Sequence, residues 1–180
     1  MALAARLKPG ETLGDRVMKV DHAGELGAIC IYTAQKWLAH WRAPDMVPEL
    51  DGFLNHERSH RSRFAAELKA RGMSRCRSFH FCGIGGWLLG AATGVLGRNA
   101  IAATTVAIER VVLAHMQQQL IELERCDVQA ADTLRCVIGE EQQHHDLSAA
   151  RLPDGSFWSK IIDPVVALST ECVIWLGMRL

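Results

Sequence analysis

The sequence predicts an all-α protein: a four-helix bundle with two additional apolar helices. Three observations carry this. Apolar and small residues recur at alternating steps of three and four over long stretches, as in Val17, Val20, Gly24, Gly27, Ile31, Ala34, Leu38 and Trp41, the pattern of a packed helical seam. Aromatic residues are few (6 %) and turn residues are sparse between these stretches, which disfavours a β architecture. Two of the periodic segments carry the same triplet, Glu-x-x-His, and in each set the triplet's glutamate follows another glutamate by 32 residues: Glu25, Glu57, His60 and Glu109, Glu141, His144.

The first helix is expected over about 13–42, ended by Ala43-Pro44-Asp45. Glu25 lies beside its seam, on the face of His22 and Tyr32. Gly24 and Gly27 flank it, and a helical glycine costs about 1 kcal/mol relative to alanine, so close helix approach or space for a ligand should offset them. Pro48 suits the first turn of a second helix, which runs to about Arg71 before Gly72 and carries Glu57 and His60. From Ser78 to Gly97 there is no formal charge and six residues are glycine. That stretch approaches the length of a membrane span, about 20 residues, with Gly86, Gly90 and Gly94 at small-xxx-small spacing. Gly97 and Asn99 read as a stop and the next N-cap, opening a helix over about 100–125 with Glu109 and His115. Asp127 caps a fifth helix, to about Leu152, that carries Glu141 and His144. Pro153-Asp154-Gly155 is a turn. The last helix covers roughly 157–179, with Asp163-Pro164 as its kink or its true start.

With 180 residues, 49 % of them apolar, the chain is long enough for one domain with a real core. Residues 1–12 read as a tail and 13–180 as the domain. Twenty basic and twenty acidic residues cancel, giving no sign of a nucleic-acid partner. The six cysteines (Cys30, Cys76, Cys82, Cys126, Cys136, Cys172) form no C-x-x-C pair and read as buried, reduced thiols in a reducing compartment. The N-terminal stretch from Met1 to Lys8 lacks the apolar run of a secretory signal.

Residues three apart on a helix share a face, so a Glu-x-x-His pair can grip one ion, and a glutamate from the preceding helix can cap that ion or bridge two. Two such sets packed together bring Glu25, Glu57, His60, Glu109, Glu141 and His144 around two metals. Carboxylates with two imidazoles suit iron or manganese, and the lack of paired thiolates argues against structural zinc. Composition alone yields about 0.5 chance matches to Glu-x-x-His. Glu109 also follows a nearly charge-free run, and a buried carboxylate needs a partner. His22 is a ligand neighbour or a core histidine. Asp21 and Asp146 are candidates for orienting the imidazoles or are caps and surface groups. His115 and His145 are proton relays or structural. Tyr32 has a redox role or none.

The strings Asp21-His22-Ala23-Gly24-Glu25, Asn55-His56-Glu57-Arg58-Ser59-His60, Thr105-Val106-Ala107-Ile108-Glu109 and Glu140-Glu141-Gln142-Gln143-His144-His145-Asp146 resemble the demethoxyubiquinone hydroxylase family of ubiquinone biosynthesis, over about Asp15 to Leu180. The resemblance implies a ferritin-like di-iron monooxygenase, a 3-demethoxyubiquinol hydroxylase, acting on a polyprenylated methoxy-methyl-benzoquinol. It implies two Fe ions held by the six residues above, O2 as co-substrate and an external electron donor, with no catalytic residue beyond the metal ligands. Where family members often carry His-Tyr, this chain has His115-Met116, so a tyrosine-mediated electron route at that point is unavailable. No G-x-G-x-x-G follows a strand, so no dinucleotide domain is encoded.

A bilayer-dwelling substrate requires membrane access. Arg58, Arg61, Arg63, Lys69, Arg71, Arg75 and Arg77 face only Glu67 in the stretch 58–77. This basic run beside an apolar helix suits docking on an anionic surface more than a full span, or it is an ordinary solvated face. The expected location is peripheral, on the cytoplasmic side of a bacterial inner membrane, or the mitochondrial inner membrane in a eukaryote. Other ubiquinone-biosynthesis proteins and an oligomer are possible partners. Two rivals stand: an iron-storage or peroxide-handling protein with the same ligands, and a metal-free helical scaffold that binds quinone or lipid.

Overall fold

Six helices, α1 (Leu13–Arg42), α2 (Val47–Ala70), α3 (Phe79–Leu96), α4 (Arg98–Cys126), α5 (Val128–Ala150) and α6 (Phe157–Gly177), make up the computed structural model, which describes residues 5–180. A short 3-10 turn, Pro44–Met46, joins α1 to α2, and there is no strand among the described residues. The expected helices are all present.

Local chemistry explains the ends. Thr12 and Asp15 form a reciprocal capping box at the start of α1, with bonds of 3.1 and 2.9 Å, which satisfies two otherwise orphaned donors. Gly72 at φ +65° follows α2, and Gly97 at φ +91° separates α3 from α4, conformations that glycine adopts without steric cost. The Asp127 side chain accepts from Ala130 N at 3.1 Å and caps α5. Asn99 is not a cap: α4 starts at Arg98, with Gly97 alone serving as both stop and start. Helix α6 is continuous through Pro164, which lies on its exposed side.

Helices α1, α2, α4 and α5 form the bundle, paired α1 with α2 and α4 with α5. Helix α3 lies along α1, and α6 along α4. The bundle interior holds two apolar clusters. One contains Ile31, Tyr32, Leu50, Phe53, Ile101 and Ile108. The other contains Val17, Phe64, Leu68, Met116, Leu134 and Val137. On α1, α2 and α4 the glutamates of interest fall in sequence between the two clusters, so a polar layer is sandwiched by apolar ones.

Helix α3 runs parallel to α1 at backbone contact. A Cβ placed on Gly86 would overlap the carbonyl of Gly27, and one on Gly90 the carbonyl of Ile31. Gln35 donates to Thr93 Oγ1 at 2.9 Å inside this seam. Gly27 is thus explained by close approach. Gly24 has nothing within 4 Å of the place a methyl group would take and borders a cavity, the other expected reason.

Three further expectations are corrected. Trp41 is not in the seam: it is 68 % exposed and stacks edge-on with exposed Trp37, because the seam rotates out of the bundle beyond Ala34. The cysteines are all free, but only Cys76 and Cys82 are buried; Cys126, Cys136 and Cys172 are exposed, since they fall on outward faces of α4, α5 and α6. Arg71 is not a solvated membrane cation, since it binds Glu67, Asp15 and Asp127, joining the ends of three helices. Within residues 5–12, Arg6 N donates to Met178 O at 2.9 Å, and Glu11 pairs with buried Arg16 at 2.6 Å. The remaining part of the N-terminal reading, residues 1–4, lies outside the described residues.

Candidate metal centre

The six residues singled out by spacing come from four helices: Glu25 on α1, Glu57 and His60 on α2, Glu109 on α4, Glu141 and His144 on α5. All are buried. They form two overlapping groups, Glu25, Glu57, His60, Glu141 and Glu57, Glu109, Glu141, His144, with the candidate ligand atoms of each group within 4.8 Å of one another. Glu57 and Glu141 belong to both groups, while Glu25 and Glu109 each belong to one.

A test of fit comes from unsatisfied atoms. Glu25 Oε2, Glu57 Oε1, Glu141 Oε2, His60 Nδ1 and His144 Nδ1 are buried without a hydrogen-bond partner, which buried polar groups almost never are. Nδ1 of His60 is 3.0 Å from Glu141 Oε1, and Nδ1 of His144 is 3.3 Å from both Glu57 Oε1 and Glu141 Oε2, yet these approaches lack hydrogen-bond geometry. Lone pairs turned toward a shared centre fit two cations, and the oxygen-rich donor set with two imidazoles fits iron or manganese.

The electrostatics agree. Burial, then repulsion from Glu57, hold Glu25 well above the usual carboxylate range. Burial, then Glu141 and Glu57, do the same to Glu109. Burial works to lower His144, but the Glu141 and Glu57 carboxylates beside it bring it up to about 9. The cluster therefore holds protons that a bound cation would displace.

The surrounding groups fall on one side or the other of the alternatives left open. The imidazoles are oriented by neither Asp21 nor Asp146. Nε2 of His60 meets Glu140 Oε2 at 2.7 Å, and Nε2 of His144 meets His56 Nδ1 at 3.0 Å. Asp146 is exposed and bonds Gln142 and His145. Asp21 takes a bond from Gln119 at 3.2 Å and burial pushes it up to about 7. His22 stacks on Phe79 and is a packing residue. His115 pairs with Glu171 at 2.8 Å. The Tyr32 hydroxyl donates to Glu109 Oε1 at 2.7 Å.

An apolar cavity of about 390 Å³ reaches the cluster. Its polar end is made by Asp21, Glu25, Glu57, Glu109 and Glu141. Its walls come from α1, α3, α4 and α6, including Ile31, Leu89, Val112 and Ile174. Two of these four helices, α3 and α6, also expose large apolar side chains in number: Phe81, Ile84, Trp87 and Leu88 on α3, and Val165, Leu168, Val173 and Trp175 on α6. Helix α3 is long and apolar enough to cross a membrane, with 39 % of that window buried.

A family model described as ubiquinone biosynthesis protein COQ7 matches residues 12–177. The chain is 28 % identical over 170 residues to the NADPH-dependent 3-demethoxyubiquinone 3-hydroxylase of Bos taurus, covering 92 % of this chain and 77 % of that protein. It is 29 % identical over 168 residues to the 3-demethoxyubiquinol 3-hydroxylase of Rhodospirillum rubrum, covering 92 % and 77 %. Over 136 residues it is 32 % identical to the Mus musculus NADPH-dependent hydroxylase, covering 73 % and 62 %.

Proposed function

Because this chain belongs to the COQ7 family of ubiquinone biosynthesis proteins, we propose that it is a 3-demethoxyubiquinol hydroxylase, a di-iron monooxygenase that uses O2 and an external electron donor. The observation that carries the reading is the buried cluster of four carboxylates and two imidazoles at the closed end of an apolar cavity. Glu25, Glu57, His60, Glu109, Glu141 and His144 would hold two iron ions. A bound iron pair supplies reduction and activation of O2.

The chain's own residues do the rest. Glu57 and Glu141 each reach both halves of the cluster, so each would serve both cations, and the four helices hold them in place. Ile31, Ile108, Leu89 and Val112 line the approach with hydrocarbon, which suits a quinol ring followed by an isoprenoid tail and excludes water. Tyr32 fixes Glu109 through its hydroxyl. The exposed apolar faces of α3 and α6 rest on the bilayer that holds the substrate, a peripheral attachment. In a bacterium this would be the cytoplasmic side of the inner membrane.

The test is anaerobic reconstitution with ferrous iron, then a single turnover of a short-chain demethoxyubiquinol with O2. The native chain should bind two irons and yield one hydroxylated product per chain. Glu141→Ala, which removes a side chain common to both groups, should lose iron and turnover together. Hydroxylation retained by the iron-free protein or by Glu141→Ala would overturn the reading.

A further inference from the structure

The two imidazoles of the cluster are backed by unlike partners. Glu140, on α5, reaches His60 on α2 (2.7 Å), and His56, on α2, reaches His144 on α5 (3.0 Å). These partners occupy equivalent places in the chain. Each immediately precedes the glutamate of a Glu-x-x-His triplet, and they are 84 residues apart, as are Glu57 and Glu141. The pseudo-repeat thus crosses over, each helix supplying the support for the other helix's histidine. One place holds a carboxylate and the other an imidazole.

The difference has chemical weight. For Nδ1 to offer a lone pair to a cation, Nε2 must carry the ring proton. A carboxylate accepts that proton in a charge-assisted bond, which fixes the tautomer and makes the ligating nitrogen a better donor. Nδ1 of His56 accepts more weakly, and only while its own proton sits on Nε2. The His56 and His144 rings are nearly parallel, at 9° with centroids 5.2 Å apart, which fits a bond running edge to edge.

We propose that the metal pair of this chain is unequal by construction: the position held by His60 binds a divalent cation more tightly than the position held by His144, because Glu140 backs the first and His56 the second. Both are positioning residues, acting through the imidazole each supports. The inference rests on the reading of the six buried side chains as a metal site.

The test is anaerobic titration of the metal-free full chain with ferrous iron, followed by calorimetry and by Mössbauer spectra of isotopically enriched iron. Two successive constants should differ by roughly 10–100-fold, the range that supporting partners contribute, with the first equivalent filling a single spectral environment. Shared carboxylates also separate successive constants, so the variants decide. His56→Glu should raise the weaker constant and collapse the ratio. Glu140→Gln should lower the tighter constant by about 10-fold. The Glu140 side chain is 41 % exposed and His56 is half-buried, so helical content should hold in both. Two equal, independent sites in the native chain, or a ratio unmoved by both variants, would overturn the inequality and leave the metal site standing. Failure of the native chain to bind iron would overturn the metal reading, and this inference with it.

Discussion

Tyr32 is the one tyrosine in the chain, and its hydroxyl ends on Glu109 Oε1 in a fully buried setting. Tyr32→Phe keeps the ring packed against Phe53 but removes the donor. Iron titration should show one of the two bound ions weakened about 10-fold, as for other supporting partners, with the fold retained. An unchanged titration would assign Tyr32 to packing alone. The two Glu-x-x-His pairs were legible because their spacing is local: three residues apart on a helix means one face. Glu25 and Glu109, on other helices, stood out through the equal 32-residue offset. Glu140 and His56 were not legible, although both stand beside a triplet glutamate. Each acts on a histidine of another helix, and cross-helix pairing depends on the rotation of two helices about their axes, which periodicity does not specify to one residue. For the same reason, the choice left open for Asp21 was settled only by its bond from Gln119.

At the scale of elements, capping chemistry made the boundaries readable. Gly72, Gly97 and Asp127 each act on their own neighbours, so the observed ends fall close to the expected ones. What α3 does with its glycines is a matter of tertiary contact. Gly90 faces the Ile31 backbone with no room for a methyl group. Gly90→Ala gains about 1 kcal/mol of helix propensity and meets a backbone that cannot yield, at a cost of roughly 1–3 kcal/mol or more. A net loss of stability is expected in thermal denaturation. Gly139→Ala on α5, where nothing lies within 4 Å, should instead stabilise by up to about 1 kcal/mol. The same sign for both variants would contradict the close packing of α3 on α1.

For the whole molecule, acid sensitivity and membrane attachment follow from charge and exposure. Burial works to raise Glu11, but its bonds to Arg16 and Lys19 outweigh it and bring it down to about 2. The Arg71 guanidinium holds Asp127 below its usual range. Both are carboxylates that bind protons more weakly folded than unfolded. Their stabilisation is therefore present above pH about 4.5 and lost as pH falls toward about 2, on the order of 2 kcal/mol for Glu11. The denaturant midpoint of the native chain should exceed that of Glu11→Gln at neutral pH, and this difference should shrink by pH about 3. The apolar side chains of α3 and α6 predict that the protein floats with vesicles containing anionic lipid, and that Trp87→Glu with Leu88→Glu, both exposed, leaves it in the soluble fraction with its helical content intact. A native chain that stays at the bottom of the gradient would refute attachment.

The glycine ridge between α3 and α1 also has a mechanical meaning. With backbone against backbone at Gly86 and Gly90 there is no cushion of side chains between them, so α3 and α1 shift as one body, and any displacement of α3 carries with it the helix that bears Glu25.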